Sequence, residues 1–299
     1  MTICRLAGFI VSSCLCLGLA SVAQAFDLVP GDLYSSNYGS LVISRYAPDG
    51  AFIDSISIPA NYGSEVRGLA FGPDSLLYAT TVEGSGFNVI AIDRSGAVQS
   101  TYNGQSYVAG NLSSGKIAFS GNGQFFVAGG DYLTRFDVGT TYGTYVYTNN
   151  GVMDVKELPN GNLLVLSNYE LDEITTEGEL VRTITPDPVL LVDARGLEYD
   201  PVSKTIYVSM LGYTGENFQV LRLRLSGEII QSTYFIYADD LLLTPDRRFA
   251  PRRGRTGPFW PAPHLIVGSR IQTPGVFDLT LHQSGVLDGD QQMFVAQMQ

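Results

Sequence analysis

RGLAFGPDSLLYATT, from Arg67 to Thr81, is an apolar segment, a Pro-Asp-Ser turn and a second apolar segment. The same phrase returns along the chain. It reads GKIAFSGNGQFFVAGG from Gly115, MDVKELPNGNLLVLS from Met153, RGLEYDPVSKTIYVSM from Arg195 and DDLLLTPD from Asp239. Each unit continues into a third apolar segment and a second turn, as in VIAIDRSG, LTRFDVG, LDEITTEG and VLRLRLSG. A fourth segment follows, of which EIIQSTYFIY is an example. Four short strands repeated every 40-odd residues are the pattern of a propeller blade. The segments are apolar throughout or alternate with period two, as strands do when a sheet is packed on both faces. Turns such as Pro73-Asp74-Ser75, Gly121-Asn122-Gly123 and Pro159-Asn160-Gly161 either preset φ or tolerate its positive range.

The pattern predicts an all-β protein: a six-bladed β-propeller with four-stranded antiparallel blades. The first unit, GDLYSSNYGSLVISRYAPDGAFIDSISI, lacks an opening strand, because Leu33-Tyr34 aligns with Leu77-Tyr78. QMFVAQM near the C-terminus has no unit of its own. The expectation is that it joins the N-terminal blade as its inner strand and closes the ring, removing exposed edges. One stretch breaks the period. Between Asp240-Leu241 and Leu265-Ile266 lies RRFAPRRGRTGPFWPAPH, residues 247–264, with Arg247, Arg248, Arg252, Arg253, Arg255 and Trp260. It reads as a basic loop for an anionic partner, as a solvated insertion, or as a sequence artefact.

Composition narrows the function. Of 299 residues, 45% are hydrophobic and 16% charged, which is incompatible with a disordered chain. The net charge of −11 argues against nucleic-acid binding, which needs a basic face. Residues 1–25 read as a signal peptide: Arg5, an apolar run from Leu6 to Val22, then Ala23-Gln24-Ala25. The domain is then 26–299, exported to the periplasm or secreted, without a transmembrane segment in the mature chain. Val11-Ser12-Ser13-Cys14 resembles a lipobox, so a lipoprotein anchored at Cys14 is the alternative. All three cysteines, Cys4, Cys14 and Cys16, precede Ala25, and only His264 and His282 supply imidazoles. A disulfide framework, a cysteine nucleophile and a multi-histidine metal site are therefore not expected in the mature chain.

The units GLAFGPDSLLYA, KIAFSGNGQFFVA and GLEYDPVSKTIYVS resemble those of the NHL and SMP-30/gluconolactonase-like six-bladed propellers. The resemblance implies a ligand site at the axial mouth, where the inner strands converge. Aligned on their turns, the units set Arg67, Gly115, Met153, Arg195 and Asp239 at one level, and Gly68, Lys116, Asp154, Gly196 and Asp240 at the next. Arg67, Lys116, Asp154, Arg195, Asp239 and Asp240 are thus the expected mouth residues, with Arg67 and Arg195 as two-pronged donors to an anionic or hydroxylated ligand. The lactonases of the resembling family hold a divalent metal there with a Glu, Asn and Asp set. Here arginines, which cannot ligate a metal, stand at levels where such relatives carry a carboxylate or amide. Asp154 and Asp239 remain as oxygen ligands for a Ca²⁺ or Mg²⁺ ion. The related lyases use a histidine base at the mouth, and neither His264 nor His282 falls on an inner strand. The expectation is an exported binding module, monomeric and cofactor-free, for a small molecule or a cell-envelope partner. The alternative is a metal-dependent lactonase-like hydrolase with a degenerate metal site. Tyr34, Tyr38, Tyr62, Tyr142 and Tyr213 suggest a third reading, carbohydrate binding.

Expressed in a bacterial host, the protein should be recovered cut after Ala25 and starting at Phe26. Intact mass decides this, and a diacylglycerol adduct on Cys14 would assign the lipoprotein route instead.

Overall fold

Alternation along each strand sends successive side chains to opposite faces, and strands such as Leu77–Glu83, Gly86–Ile92 and Leu163–Ser167 are buried on both faces. A computed structural model describes residues 28–37, 39–47, 51–84, 86–104, 114–137, 139–149, 151–185, 191, 193–211, 218–235, 240–243, 265–268 and 293–297. Residues 1–25, read above as a signal peptide, with Cys14, and Asp239, the 247–264 stretch, His264 and His282 lie outside the described residues.

The repeats fold as antiparallel four-stranded meanders. The second blade is β4 (Val66–Phe71), β5 (Leu77–Glu83), β6 (Gly86–Ile92) and β7 (Val98–Gly104). The third is β8 (Lys116–Phe119), β9 (Phe125–Gly129), β10 (Tyr132–Phe136) and β11 (Thr144–Thr148). The fourth is β12 (Val152–Glu157), β13 (Leu163–Ser167), β14 (Leu171–Ile174) and β15 (Leu180–Thr183). The fifth is β16 (Ala194–Asp200), β17 (Thr205–Leu211), β18 (Phe218–Arg224) and β19 (Ile229–Phe235). The first blade has only β1 (Leu33–Asn37), β2 (Val42–Tyr46) and β3 (Phe52–Ser57) from its own stretch of chain. Its fourth strand is β22 (Met293–Gln297), antiparallel to β1 with Leu33 opposite Gln297 and Asn37 opposite Met293. Among the described residues no helix is long and apolar enough to cross a membrane.

The architecture is a β-propeller, but the expected count of six four-stranded blades needs correction. The described residues form five four-stranded blades and one two-stranded sheet, β20 (Asp240–Leu243) with β21 (Leu265–Gly268). The pairing itself follows the repeat phase, with Leu241 opposite Val267 and Leu243 opposite Leu265. The stretch that would add two outer strands, between Gly268 and Met293, lies outside the described residues.

Four apolar clusters fill the four junctions between these blades. Tyr34 and Ile43 meet Leu69, Leu77 and Ala79 between blades one and two. Tyr78 and Val89 meet Ile117, Phe125 and Phe136 between two and three. Phe126 and Leu133 meet Val155, Leu163 and Val165 between three and four. Leu164 and Leu166 meet Leu197, Ile206 and Val208 between four and five. Strand β13 shows the rule: Leu163 and Val165 serve one junction, Leu164 and Leu166 the next. In the second junction the Phe125 and Phe136 rings stack at 4.7 Å, and the Phe119 edge meets Tyr78 at 4.8 Å. Between the inner strands of blades two and three the backbones come into close contact. A Cβ on Gly68 would sit 1.9 Å from the Gly115 carbonyl oxygen, a contact only glycine avoids.

Deleting residues 291–299 removes β22 and bares the inner edge of β1. Thermal unfolding should shift down by more than about 5 °C, since each lost kcal/mol is worth about 2–4 °C in a domain of this size. A truncated protein that melts like the full-length chain would show that β22 adds nothing to the fold.

Candidate axial site

Inner strands carry the expected mouth residues, and three of these strands are irregular at the same repeat position. The β4–β5 register shifts between Val66 and Leu69, across Arg67 and Gly68. The β12–β13 register shifts between Val152 and Asp154, across Met153. The β16–β17 register shifts between Ala194 and Gly196, across Arg195. A bulge adds an unpaired residue, bends the strand and re-aims its side chain. In the third blade there is no bulge; Gly115, in the left-handed region at φ +67°, immediately precedes β8. The level at which the repeats align Arg67, Gly115, Met153 and Arg195 is therefore the level at which the ladders break.

The Arg67 side chain is buried and forks onto Glu65. Its Nε donates to Glu65 Oε1 at 2.7 Å, and its Nη2 lies 2.5 Å from the same oxygen. The second Glu65 oxygen accepts the Gly39 N–H at 2.7 Å, so this ion pair is anchored to the β1–β2 turn of the previous blade. Lys116 opens β8, opposite Ala128, and is buried. Arg195 is half-buried within its bulge. Asp154 is only 1% exposed, and both of its oxygens accept backbone N–H groups. Oδ1 takes Val155 at 2.7 Å and Oδ2 takes Leu197 of the next blade at 2.8 Å. Asp240 opens β20, opposite Gly268. Asp239 lies outside the described residues, so the pairing of Asp154 with Asp239 around a cation is not formed by described atoms. Among the described residues there is no group of three or more His, Cys, Asp or Glu side chains placed to hold a metal.

Sequence reasoning missed the residues that lock the inner strands together. The Thr80 hydroxyl accepts the Gly68 N–H at 2.6 Å and donates to the Gly115 carbonyl at 2.9 Å, joining blades two and three. Ser36 Oγ donates to the Arg67 carbonyl at 3.3 Å across the first junction. Asp154 does the same work across the fourth. The signal was present in outline, as small polar residues ending apolar strands, but their partners are main-chain atoms of other repeats. Of the tyrosines, Tyr34 is fully buried and its hydroxyl accepts the Val29 N–H at 2.7 Å. Tyr142 is exposed, Tyr62 lies in a 3₁₀ turn, and Tyr38 and Tyr213 lie outside the described residues.

The fold has solved counterparts. A protein of unknown function from Bacteroides caccae matches at a TM-score of 0.54 and 13% identity, covering 69% of this chain and 78% of its own. A streptogramin B lyase structure matches at 0.50 and 15% identity, covering 73% of this chain and 76% of its own. At these identities the likeness concerns the fold alone. No protein-family model matches the chain, and no curated protein matches it by sequence.

Replacing Asp154 by Ala strands two buried N–H groups in adjacent blades. Denaturant unfolding should show a loss of about 2–4 kcal/mol. Thr80→Val keeps the shape but leaves the Gly68 N–H and the Gly115 carbonyl without this partner, for about 1–3 kcal/mol. A silent Asp154→Ala would mean that the carboxylate is not needed at the junction.

Proposed function

We propose that the chain is an exported binding protein of the six-bladed, NHL or SMP-30-like type, whose axial mouth takes a small anionic or polyhydroxylated ligand. The observation that carries this reading is the recurrence of ladder breaks at one level of the inner strands, where Arg67 and Arg195 stand with Lys116 one residue on. Arg195 and Lys116 supply positive charge at this level of an acidic protein, and a guanidinium group offers planar paired donors to a carboxylate. Arg67 is held by Glu65, which leaves Arg195, less buried and in its own bulge, as the principal ligand contact. Support for a sixth blade comes from β20, which lies against β16 on one side and β22 on the other, while β22 lies against β4. A sixth blade in a closed ring would have its inner strand in that place.

The hydrolase reading would require Asp154 to exchange two backbone hydrogen bonds for a metal, at the cost of the junction it holds. The geometry therefore favours binding over metal-dependent hydrolysis.

Calorimetric titration with a panel of small carboxylates and sugar acids tests the reading. Arg195→Ala should weaken whichever ligand binds by about 10-fold to 100-fold, the worth of a hydrogen bond to a charged group. Equal affinity in Arg195→Ala and Lys116→Ala would remove the mouth as the site.

A further inference from the structure

Away from the axis, the junction of blades three and four holds a carboxylate that its surroundings leave incomplete. Asp172 on β14 is 2% exposed. Its Oδ2 accepts the hydroxyl of Tyr147, which projects from β11 of the neighbouring blade. Its Oδ1 is buried and has no hydrogen-bond partner. The contrast with Glu173, the next residue, is sharp. Glu173 faces the opposite side of the sheet and accepts from Asn162 at 2.7 Å, Asn160 at 3.0 Å and Arg182 at 2.8 Å. Around Asp172 the polar groups form a chain that leads to a second carboxylate. Asn149 Nδ2 donates to the Tyr147 hydroxyl at 3.1 Å and to Glu170 Oε2 at 3.0 Å. Burial, and then the hydrogen bond to Asp172, push the Tyr147 phenol well above its usual value, so it serves as a neutral donor. No described Lys or Arg pairs with Asp172 or Glu170.

A buried carboxylate without a counter-charge is costly, and buried charges in proteins are paired or bound to metals. We propose that Asp172 and Glu170 form a Ca²⁺ site at the junction of the third and fourth blades, distinct from the axial mouth. Both residues stand on the β14 side of the junction, two apart in sequence and on one face of the strand line. Tyr147 and Asn149 reach them from the blade-three side and hold the carboxylates in place. The donor set is all oxygen, with no imidazole or thiolate, which suits a hard cation rather than zinc or copper. Of the hard cations, Ca²⁺ accepts an irregular mixture of carboxylate and water oxygens, whereas Mg²⁺ demands a near-ideal octahedron. A site with only two carboxylates belongs with the weak calcium sites, with an affinity of about 10⁻⁴–10⁻³ M. The ion neutralises the buried charge and draws the two blades together, so its effect is on stability.

The test uses the full chain, freed of divalent ions by chelation and then titrated with calcium chloride, with thermal unfolding and calorimetry as readouts. The melting temperature should rise with calcium and saturate, with one ion bound. Asp172→Asn should lose that response and, without calcium, melt at or above the wild type, because an uncompensated buried charge is gone. Glu170→Gln, at a half-buried turn position, should bind about tenfold more weakly. A wild type indifferent to about 10 mM calcium, tenfold above the weak end of that range, overturns the proposal. An Asp172→Asn protein with the wild-type calcium shift also overturns it and places the ion elsewhere, such as at Asp154. If Asp172→Asn does not fold, Glu170→Gln decides: unchanged calcium affinity refutes the site.

Discussion

Each blade is a sheet of four strands with two apolar faces and no core of its own. Everything else in the molecule follows from that constraint. A lone blade would expose both faces to water, at about 25 cal/mol for every Å² of apolar surface, so each unit is stable only between two others. The clusters lie at the junctions, and the alternate residues of one strand belong to different clusters. This is why the repeat is written in runs such as LLVL and FFVA instead of a polar-apolar alternation. It is also why the first blade draws its inner strand from the far end of the chain, since an open array would leave a face and an edge bare.

Toward the axis the blades converge and the problem changes. At Gly68 against Gly115 there is no room for a side chain, and there the inner strands are joined by a polar group acting on backbone atoms. Ser36, Thr80 and Asp154 each reach into the next blade, and each satisfies a main-chain group that packing would otherwise leave unpaired. The bulges across Arg67-Gly68, Met153 and Arg195 break the ladders at the same level. Hydrogen-bonding order is thus interrupted at one level of three inner strands. Glu65 shows the cost of putting charge in such a place. It neutralises Arg67 and is itself tied to the preceding blade through Gly39.

Some of this was legible in the chain. The repeat phase placed every inner strand, the pairing of Asp240–Leu243 with Leu265–Gly268 across a long interruption, and the donation of β22 to β1, because turn chemistry and apolar period are local properties. The level at which the repeats align Arg67, Met153 and Arg195 is also the level at which the ladders shift. What the neighbouring carboxylate does was not legible, because Asp154 looks the same in sequence whether it faces a cation or a backbone N–H of a residue 43 positions away. The missing counter-charge of Asp172 was likewise invisible, since Tyr147 lies 25 residues away on another blade. The sequence by itself determined the propeller, its strand order and the spacing of its blades, since these rest on contacts between neighbours in the chain. Only the tertiary structure decided which polar side chains are spent on holding blades together and which are left over. Hydrogen bonds between blades depend on distances of a few tenths of an ångström between segments far apart in sequence, and no local pattern records them.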